Sequence, residues 1–192
     1  MRNDKNRCNW GTSNELLLDY HDNEWGVPVH DDNKLFEYLS LNCFQAGLSW
    51  LTILKKREGF RDAFDNFEIQ KVASYDDSKI EELTKNENII RNIQKIKAVI
   101  NNANQVEKIR EEFGSFDEFV WQFTQGKTID NKCEKMTDIP VQSKESDLMS
   151  RELRKRGFQF TGSTICYAFM QECGMVNDHI LSCYRHHEMK EN

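Results

Sequence analysis

Residues 88–107, NIIRNIQKIKAVINNANQVE, decide the fold class of this chain. Their apolar side chains recur at steps of three or four residues, and the stripe consists of Ile89, Ile93, Ile96, Ile100, Ala103 and Val106. Such spacing aligns side chains along one face of an α-helix, and that face is buried against other elements. The segment therefore predicts a long amphipathic helix in a helical core.

Helical spacing recurs elsewhere in the chain, and strand-like alternation is weak. Only Pro28, Pro140 and nine glycines interrupt the 192 residues, which favours helices because both residue types break them. We expect one further helix that Asp32 caps and another that opens at Asp77 or Ser78. Three more are expected over residues 115–124, 146–157 and 165–176. Residues 125–144 lack periodicity and are predicted to form the longest loop. The prediction is one all-α domain, residues 1–192, with two helical lobes that share one pocket.

The composition restricts the classes of function. The formal net charge is −6, from 26 basic and 32 acidic residues, which disfavours a nonspecific nucleic-acid coat but permits a local basic face. No apolar run approaches the roughly 18 residues of a membrane span, and the first residues, MRNDKNRCNW, contain no apolar signal core. We therefore expect a cytoplasmic protein without a membrane partner. In that compartment the six cysteines are thiols or metal ligands rather than disulfides.

Two pairs of metal-ligand residues lie near the two ends of the chain. Cys8 precedes His21 by thirteen positions, and His179 precedes Cys183 by four, which predicts that the second pair shares a helix face. Two thiolates and two imidazoles form a closed tetrahedral set suited to a structural zinc ion that joins the chain ends. The alternative is that Cys8 is a stray thiol and His179 a core imidazole. Three further histidines compete as ligands: His30, His186 and His187.

Aromatic residues concentrate in two short segments, YHDNEWGVP at 20–28 and FQAGLSW at 44–50. Tyr20, Trp25 and Trp50 can form a slot in which a base that has left the DNA stack is held between rings. The alternative is that these rings belong to the hydrophobic core. No P-loop, dinucleotide-binding glycine motif or Ser–His–Asp arrangement is visible, which argues against nucleotide hydrolysis and hydride transfer.

Basic residues form three clusters, at 55–61, 91–97 and 151–156, each of which is also compatible with an ordinary solvated helix face. The third is followed by GFQFTGST and a predicted helix that includes Ile165. Free backbone N–H groups at such a helix start bind phosphate. The predicted DNA-binding residues of this turn are Arg156, Gly157, Thr161 and Gly162.

Five motifs together resemble the DNA-3-methyladenine glycosylase I family. They are RCNW at 7–10, YHDNEWGVP at 20–28, QAGLSWLTILKKRE at 45–58, KRGFQFTGSTICYAFMQ at 155–171 and GMVNDH at 174–179. The resemblance extends from about Cys8 to Cys183. It implies a helix-hairpin-helix DNA glycosylase fold, with that motif within about 146–176. It also implies a monomeric base-excision repair enzyme that flips 3-methyladenine out of double-stranded DNA and hydrolyses its N-glycosidic bond.

The same resemblance implies roles for individual residues. Cys8, His21, His179 and Cys183 correspond to the family's zinc ligands. Trp50 corresponds to the residue that stacks on the cationic base. Three residues correspond to the segment inserted into the gap left by the flipped nucleotide: Gln45, Gly47 and Leu48. The base pocket is expected to comprise Trp50, Tyr20, Asn42, Trp25 and Leu17.

Two of these residues depart from the family pattern. Asn42 occupies a position where the family usually has a pocket glutamate, and an amide cannot complement a cation as a carboxylate does. Leu17 occupies a position where a pocket tyrosine is common. An alternative is therefore a lesion-binding or altered-specificity homologue with weak or no excision, and a third hypothesis is a zinc-stapled interaction module without a DNA role. The chain has no lysine in an evident Schiff-base context, which favours hydrolysis over lyase chemistry.

Overall fold

The computed structural model describes residues 5–189, so residues 1–4 and 190–192 of the predicted domain lie outside the described part. Helices dominate, which confirms the predicted mainly helical fold. The α-helices are α1 (Glu15–Asn23), α2 (Asp32–Gln45), α3 (Trp50–Ala63), α4 (Ile69–Ala73), α5 (Asp77–Lys85), α6 (Ile93–Phe113), α7 (Phe116–Trp121), α8 (Lys144–Lys155), α9 (Ser163–Glu172) and α10 (Tyr184–Glu188). Short 3₁₀ helices occupy Asn9–Thr12, Asp65–Phe67, Gln122–Thr124 and Met136–Asp138.

The all-α prediction omits one small parallel strand pair. β1 (Ile129–Asp130) pairs with β2 (Val176–Asn177), with Ile129 opposite Val176. Residues 125–144 therefore contain a strand and a 3₁₀ helix rather than only a loop.

Most of the long helices begin at a short polar side chain that accepts a hydrogen bond from a first-turn backbone N–H. These caps are Asn14, Asp31, Ser49, Asp76, Asn92, Ser115 and Ser143. They correct two predictions, since Asp31 rather than Asp32 caps α2 and α8 begins at Lys144 rather than Ser146. Helix α5 begins at Asp77, one of the two predicted starts, and Asp76 caps it.

The long amphipathic helix is shifted from the predicted 88–107. Asn92 accepts hydrogen bonds from the backbone N–H groups of Gln94 and Lys95, so α6 begins at Ile93. Ile89 is nevertheless buried, just before the helix. The helix continues to Phe113 and ends where Gly114 takes a φ of 93°. The apolar stripe therefore identified most of the buried face, but not the ends of the helix, and its member Ile93 is 50% exposed.

Helix α9 ends at Glu172, four residues before the predicted end. Gly174 takes a φ of 76°, and a Cβ atom there would lie 2.5 Å from the Val27 carbonyl carbon and from the Pro28 nitrogen. Only glycine permits this turn and this close approach. The chain then enters β2, which is why Val176 pairs as a strand instead of continuing the helix.

Two apolar clusters form the interior. The larger cluster is rich in phenylalanine and takes side chains from α2, α6 and α9. The smaller cluster contains Cys8, Tyr20, Trp25, Leu54 and Cys183. Trp50 packs against both clusters, which places the start of α3 at their junction. Within residues 5–189, no helix combines the length and the apolar character needed to cross a bilayer.

Candidate base pocket and metal centre

A cavity of about 250 Å³ lies where α1, α2, α3 and α9 converge. Its lining consists of Trp10, Tyr20, Trp25, Asn42, Gln45, Trp50, Met136, Ile139, Ala168, Gln171 and Glu172. Five of the predicted site residues are aromatic or amide side chains that meet in this lining, although they come from separate segments. The cavity is therefore mainly apolar and aromatic, with a small polar side.

The aromatic side of the cavity is built from rings that contact one another. The ring centroids of Tyr20 and Trp50 are 5.4 Å apart at 52°, and those of Trp10 and Trp25 are 5.0 Å apart at 85°. Trp50 is the first residue of α3, is only partly buried, and is oriented by the helix that Ser49 caps. Its indole Nε1 is buried and has no hydrogen-bond partner within the described chain. The Trp50 ring is thus a cavity wall rather than a sealed core residue.

The polar side of the cavity is formed by Asn42 of α2 and Glu172 of α9. The Asn42 amide donates to Glu172 Oε2 at 2.5 Å and to the Tyr38 carbonyl oxygen at 2.9 Å. Glu172 is only 1% exposed. Burial raises the pKa of Glu172 well above its usual range, although the hydrogen bond from Asn42 opposes this shift.

Next to the cavity, four ligand atoms form a compact buried group. They belong to Cys8, His21, His179 and Cys183 and all lie within 4.8 Å of one another. Cys183 Sγ is 3.5 Å from His21 Nε2 and 3.6 Å from His179 Nδ1, and Cys8 Sγ is 3.8 Å from His179 Nδ1. Zn–S and Zn–N bonds of ~2.3 and ~2.1 Å in a tetrahedron separate sulfur from nitrogen by about 3.6 Å. The four residues therefore fit a tetrahedral metal ion.

The second ring nitrogen of each histidine is also held. His21 Nδ1 lies 2.8 Å from Asp22 Oδ1, and His179 Nε2 lies 3.1 Å from the Trp25 carbonyl oxygen. Such partners fix which nitrogen faces the metal. A hydrogen bond from the Cys8 thiol, with others from His179 and His21, lowers the pKa of Cys183, which favours the thiolate form that metals bind.

One geometric prediction about this group is wrong. His179 and Cys183 do not share a helix face, since they lie in a non-helical turn between β2 and α10. The turn brings their atoms together because Cys183 N donates to the Ile180 carbonyl oxygen at 2.7 Å. A separation of four residues is compatible with such a turn as well as with a helix.

The sequence profile of the methyladenine glycosylase family matches residues 10–186, a span that holds the whole cavity lining. The chain belongs to this family. The predicted family is therefore confirmed.

Curated methyladenine glycosylases resemble the chain over nearly its full length. DNA-3-methyladenine glycosylase 1 of Escherichia coli (strain K12) is 45% identical over 177 residues, which cover 92% of this chain and 95% of the relative. DNA-3-methyladenine glycosylase of Haemophilus influenzae (strain ATCC 51907 / DSM 11121 / KW20 / Rd) is 41% identical over 177 residues, with 92% and 96% covered.

Solved structures of methyladenine glycosylases share the fold. A crystal structure of 3-methyladenine DNA glycosylase I has a TM-score of 0.90 at 45% identity, covering 93% of this chain and 98% of that one. A structure concerned with 3-methyladenine recognition by the Staphylococcus aureus enzyme has a TM-score of 0.90 at 36% identity, with 95% and 97% covered.

The loop between α2 and α3 of this methyladenine glycosylase carries the residues expected to enter DNA. Gln45 lines the cavity, Gly47 takes a φ of 82° in open space, and Leu48 is 41% exposed. Lys95 anchors the start of the loop, since its ammonium donates to the carbonyl oxygens of Phe44 at 2.9 Å and Ala46 at 2.5 Å. A hydrogen-bonded backbone next to an exposed apolar side chain is the type of arrangement that can insert into a duplex.

The predicted phosphate-binding turn joins α8 to α9. Gly157 ends α8 with a φ of 89°, and Gly162 caps α9, which begins at Ser163. Thr161 is 1% exposed, so its side chain is buried within the turn. Arg156 donates to both carboxylate oxygens of Glu112, at 2.6 and 2.9 Å. Its guanidinium is thus already ion-paired within the protein.

Leu17 lies outside the cavity lining. It is partly buried against the smaller apolar cluster, one helical turn before Tyr20 on α1. The expectation that Leu17 forms a wall of the base pocket is therefore not what the structure shows.

Sequence reasoning also missed part of the methyladenine glycosylase cavity. The missed lining residues are Trp10, Met136, Ile139, Ala168, Gln171 and Glu172. Trp10 stands in the RCNW motif, and Glu172 is the one charged residue in the mainly apolar stretch 165–176. An acidic residue in a buried helix is a detectable signal, because burial of an unpaired carboxylate is costly.

Proposed function

We propose that this protein excises 3-methyladenine from alkylated DNA as a monofunctional glycosylase. The observation that carries the proposal is an aromatic cavity beside an exposed loop in a chain of the methyladenine glycosylase family. The E. coli and H. influenzae relatives are named for this activity. The enzyme would hydrolyse the N-glycosidic bond and leave an abasic site.

The proposed chemistry places modest demands on acid–base catalysis. N3-methylation gives adenine a positive charge, so the base is already a good leaving group. The protein must hold the base outside the stack while water attacks the sugar. Tyr20 and Trp50 supply ring faces that attract a cation, and Trp25 closes the aromatic side. Among the described residues no lysine lines the cavity, which supports hydrolysis rather than Schiff-base chemistry.

We propose that double-stranded DNA is the substrate and that the loop at 46–49 enters it. Leu48 would fill the gap left by the flipped nucleotide, with Gln45 and Gly47 shaping the entry to the cavity. The turn at 156–162 would contact phosphates through the backbone N–H groups at the start of α9. Arg156 would contribute positive charge, and Thr161 would help to hold the turn.

We propose that the cluster of Cys8, His21, His179 and Cys183 binds a structural zinc ion. Two thiolates and two imidazoles complete a tetrahedral shell and leave no position for water, so the ion would supply stability rather than catalysis. It would fix the segment around Cys8 against the turn that carries His179. All six cysteines are free and buried, so none is committed to a disulfide.

The remaining expectations follow from this assignment. We propose a helix-hairpin-helix unit within 146–176, where α8 and α9 pack together around the turn at 156–162, in one domain whose two helical lobes share the cavity. A DNA substrate and unpaired thiols support a cytoplasmic location. We expect a monomer.

The two alternative hypotheses are not favoured. The lesion-binding homologue was inferred from Asn42, yet the structure places a carboxyl group, that of Glu172, in contact with Asn42. The interaction module without a DNA role has no need of the cavity, and the relatives are named as glycosylases.

The deciding experiment is incubation of the purified protein with methylated duplex DNA, followed by identification of the released bases by mass. Release of 3-methyladenine, with unbroken strands before alkaline treatment, is expected. DNA that is bound in a salt-sensitive way without release of any base would favour the lesion-binding hypothesis.

A further inference from the structure

Glu172 is the only acidic residue in the cavity lining formed by the described chain. It is the last residue of α9, where unpaired backbone carbonyl groups already make the surroundings negative. It is also almost fully buried. Both conditions disfavour a carboxylate, so stability of the fold does not account for an acid at this position.

The two oxygen atoms of Glu172 have different surroundings. Oε2 accepts the hydrogen bond from the Asn42 amide at 2.5 Å. Oε1 is buried and has no hydrogen-bond partner within residues 5–189. One oxygen therefore fixes the carboxyl group, and the other is left as an acceptor without a donor in a residue that lines the cavity. A buried acceptor of this kind is costly unless a ligand supplies the donor.

Nearby basic side chains do not neutralise Glu172. The Lys34 ammonium lies 2.9 Å from Glu37, and the Arg57 guanidinium lies 2.7 Å from Glu24. Each cation is thus committed to another carboxylate. The cavity therefore holds one acidic group for which the described chain provides a hydrogen-bond donor but no cation.

A methylated adenine in DNA offers what this group lacks. The base carries a positive charge, and its exocyclic amino group presents two N–H donors. We propose that Glu172, positioned by Asn42, is the acidic residue that recognises the cationic base, with Oε1 accepting a hydrogen bond from the amino group. This inference rests on the proposed function and adds the residue that supplies the negative charge.

The assignment changes the meaning of Asn42. Both amide protons of Asn42 are used, one by Glu172 and one by Tyr38. Its part is to hold the carboxyl group, so it is a positioning residue. The acid of this pocket comes from α9 rather than from α2. Loss of a glutamate at position 42 therefore does not leave the cavity without a negative group.

The central test is Glu172→Gln, which retains size and hydrogen bonding but removes the charge. Loss of a hydrogen bond to a charged group predicts a decrease in kcat/KM for 3-methyladenine release of about 10- to 100-fold. The matched control is Glu37→Gln. Like Glu172, Glu37 is a buried glutamate, but it lies on α2 and does not line the cavity. The control is expected to leave base release within about threefold of wild type.

The pH profile provides a readout that a purely structural role would not move. For wild type, kcat/KM should rise with pH as Glu172 ionises, and Glu172→Gln should lack this rise. The other titratable groups electrostatically close to Glu172 are Tyr20, Glu24, Lys34, Glu37, Tyr38 and Cys173. Glu37→Gln retains Glu172 but removes a neighbouring negative charge that raises the pKa of Glu172, so its profile should keep the rise and shift it to lower pH.

A double variant that moves the carboxylate from position 172 to position 42, the transposed pair, keeps the test decisive if Glu172→Gln folds poorly. Asn42→Glu combined with Glu172→Gln restores one carboxylate from the opposite helix, and base release should recover to within about tenfold of wild type. Asn42→Glu alone places two carboxyl groups together and should lower the melting temperature.

The outcomes separate this inference from the proposed function. Wild-type protein that releases 3-methyladenine, with Glu172→Gln matching it in kcat/KM and in pH profile, overturns the role of Glu172 alone. Failure of the transposed pair to recover activity, when it folds normally, also overturns that role. Wild-type protein that releases no base overturns the proposed function itself.

Discussion

The metal-ligand cluster and the base cavity adjoin each other, yet their polar atoms are satisfied to very different degrees. In the cluster, both nitrogens of His21 and of His179 have partners. In the cavity, Trp50 Nε1 and Glu172 Oε1 are buried without a partner in the described chain. Polar atoms that have hydrogen-bond partners contribute to the stability of the fold, whereas buried polar atoms without partners can form hydrogen bonds with a ligand. Variants of the two regions should therefore give different readouts.

The largest effect is expected from Cys183→Ser. Loss of one thiolate from a closed tetrahedral set should abolish zinc binding and lower the melting temperature by about 10 °C or more. Elemental analysis and thermal unfolding measure the two quantities. The control is Cys166→Ser, because Cys166 is equally buried but lies outside the cluster. Equal zinc content in Cys183→Ser and wild type would contradict the metal assignment.

A smaller effect, on binding rather than on stability, is expected from Trp50→Ala. Stacking of an aromatic ring on a base contributes about 1–3 kcal/mol, so affinity for free 3-methyladenine should fall about 5- to 100-fold. Zinc content should not change. Trp50→Phe, which retains a ring, should recover most of the affinity in calorimetric titration. If Trp50→Ala binds the base as tightly as wild type, the cavity is not the base pocket.

The pH dependence of the free energy of unfolding tests directly whether the pKa of Glu172 is raised in the folded state. Because the pKa of Glu172 is raised in the folded state, its favourable contribution is present below the unfolded pKa of about 4.3. That contribution is lost as pH rises through the folded value. As pH is raised from acidic to mildly alkaline values, the free energy of unfolding of Glu172→Gln should therefore increase relative to that of wild type. Denaturant unfolding at several pH values measures this difference, and a constant difference would contradict the raised pKa.

The smallest effect is expected from Arg156→Ala, in a turn outside both regions. The ion pair with Glu112 is partly exposed, so its loss should change the free energy of unfolding by no more than about 1 kcal/mol. If Arg156 contacts a phosphate, the slope of DNA affinity against salt should decrease by about one. An unchanged slope would remove Arg156 from the DNA contacts, with Arg151→Ala as the comparison on the preceding helix.

The sequence was sufficient to predict those site residues whose role depends on their chemical type. The family motifs located Tyr20, Trp50 and the four metal-ligand residues, since these side chains are diagnostic and stand in long motifs. Helix ends were harder to predict, because a single side chain determines where a helix is capped. Asp31 and Asp32 are both suitable caps, and only the structure shows that Asp31 accepts from Lys34 N.

Contacts between distant segments could be predicted only where a shared ligand type linked them, as for Cys8 and His21 with His179 and Cys183. Asn42 and Glu172 are 130 residues apart, and neither side chain alone indicates the other. The separation of four between His179 and Cys183 was read as helical, although a turn supplies the same closeness. In each case the chemical type of a residue could be predicted from the sequence, whereas its neighbour became known only from the structure.

Tyr20 and His21 are consecutive residues of α1, but one ring lines the cavity and the other completes the Cys/His set. An inserted or deleted residue between Asn14 and Tyr20 would rotate the remainder of the helix by about 100°. Both rings would then leave their places at once. We expect α1 to accept many substitutions on its exposed positions and to reject any change in its length.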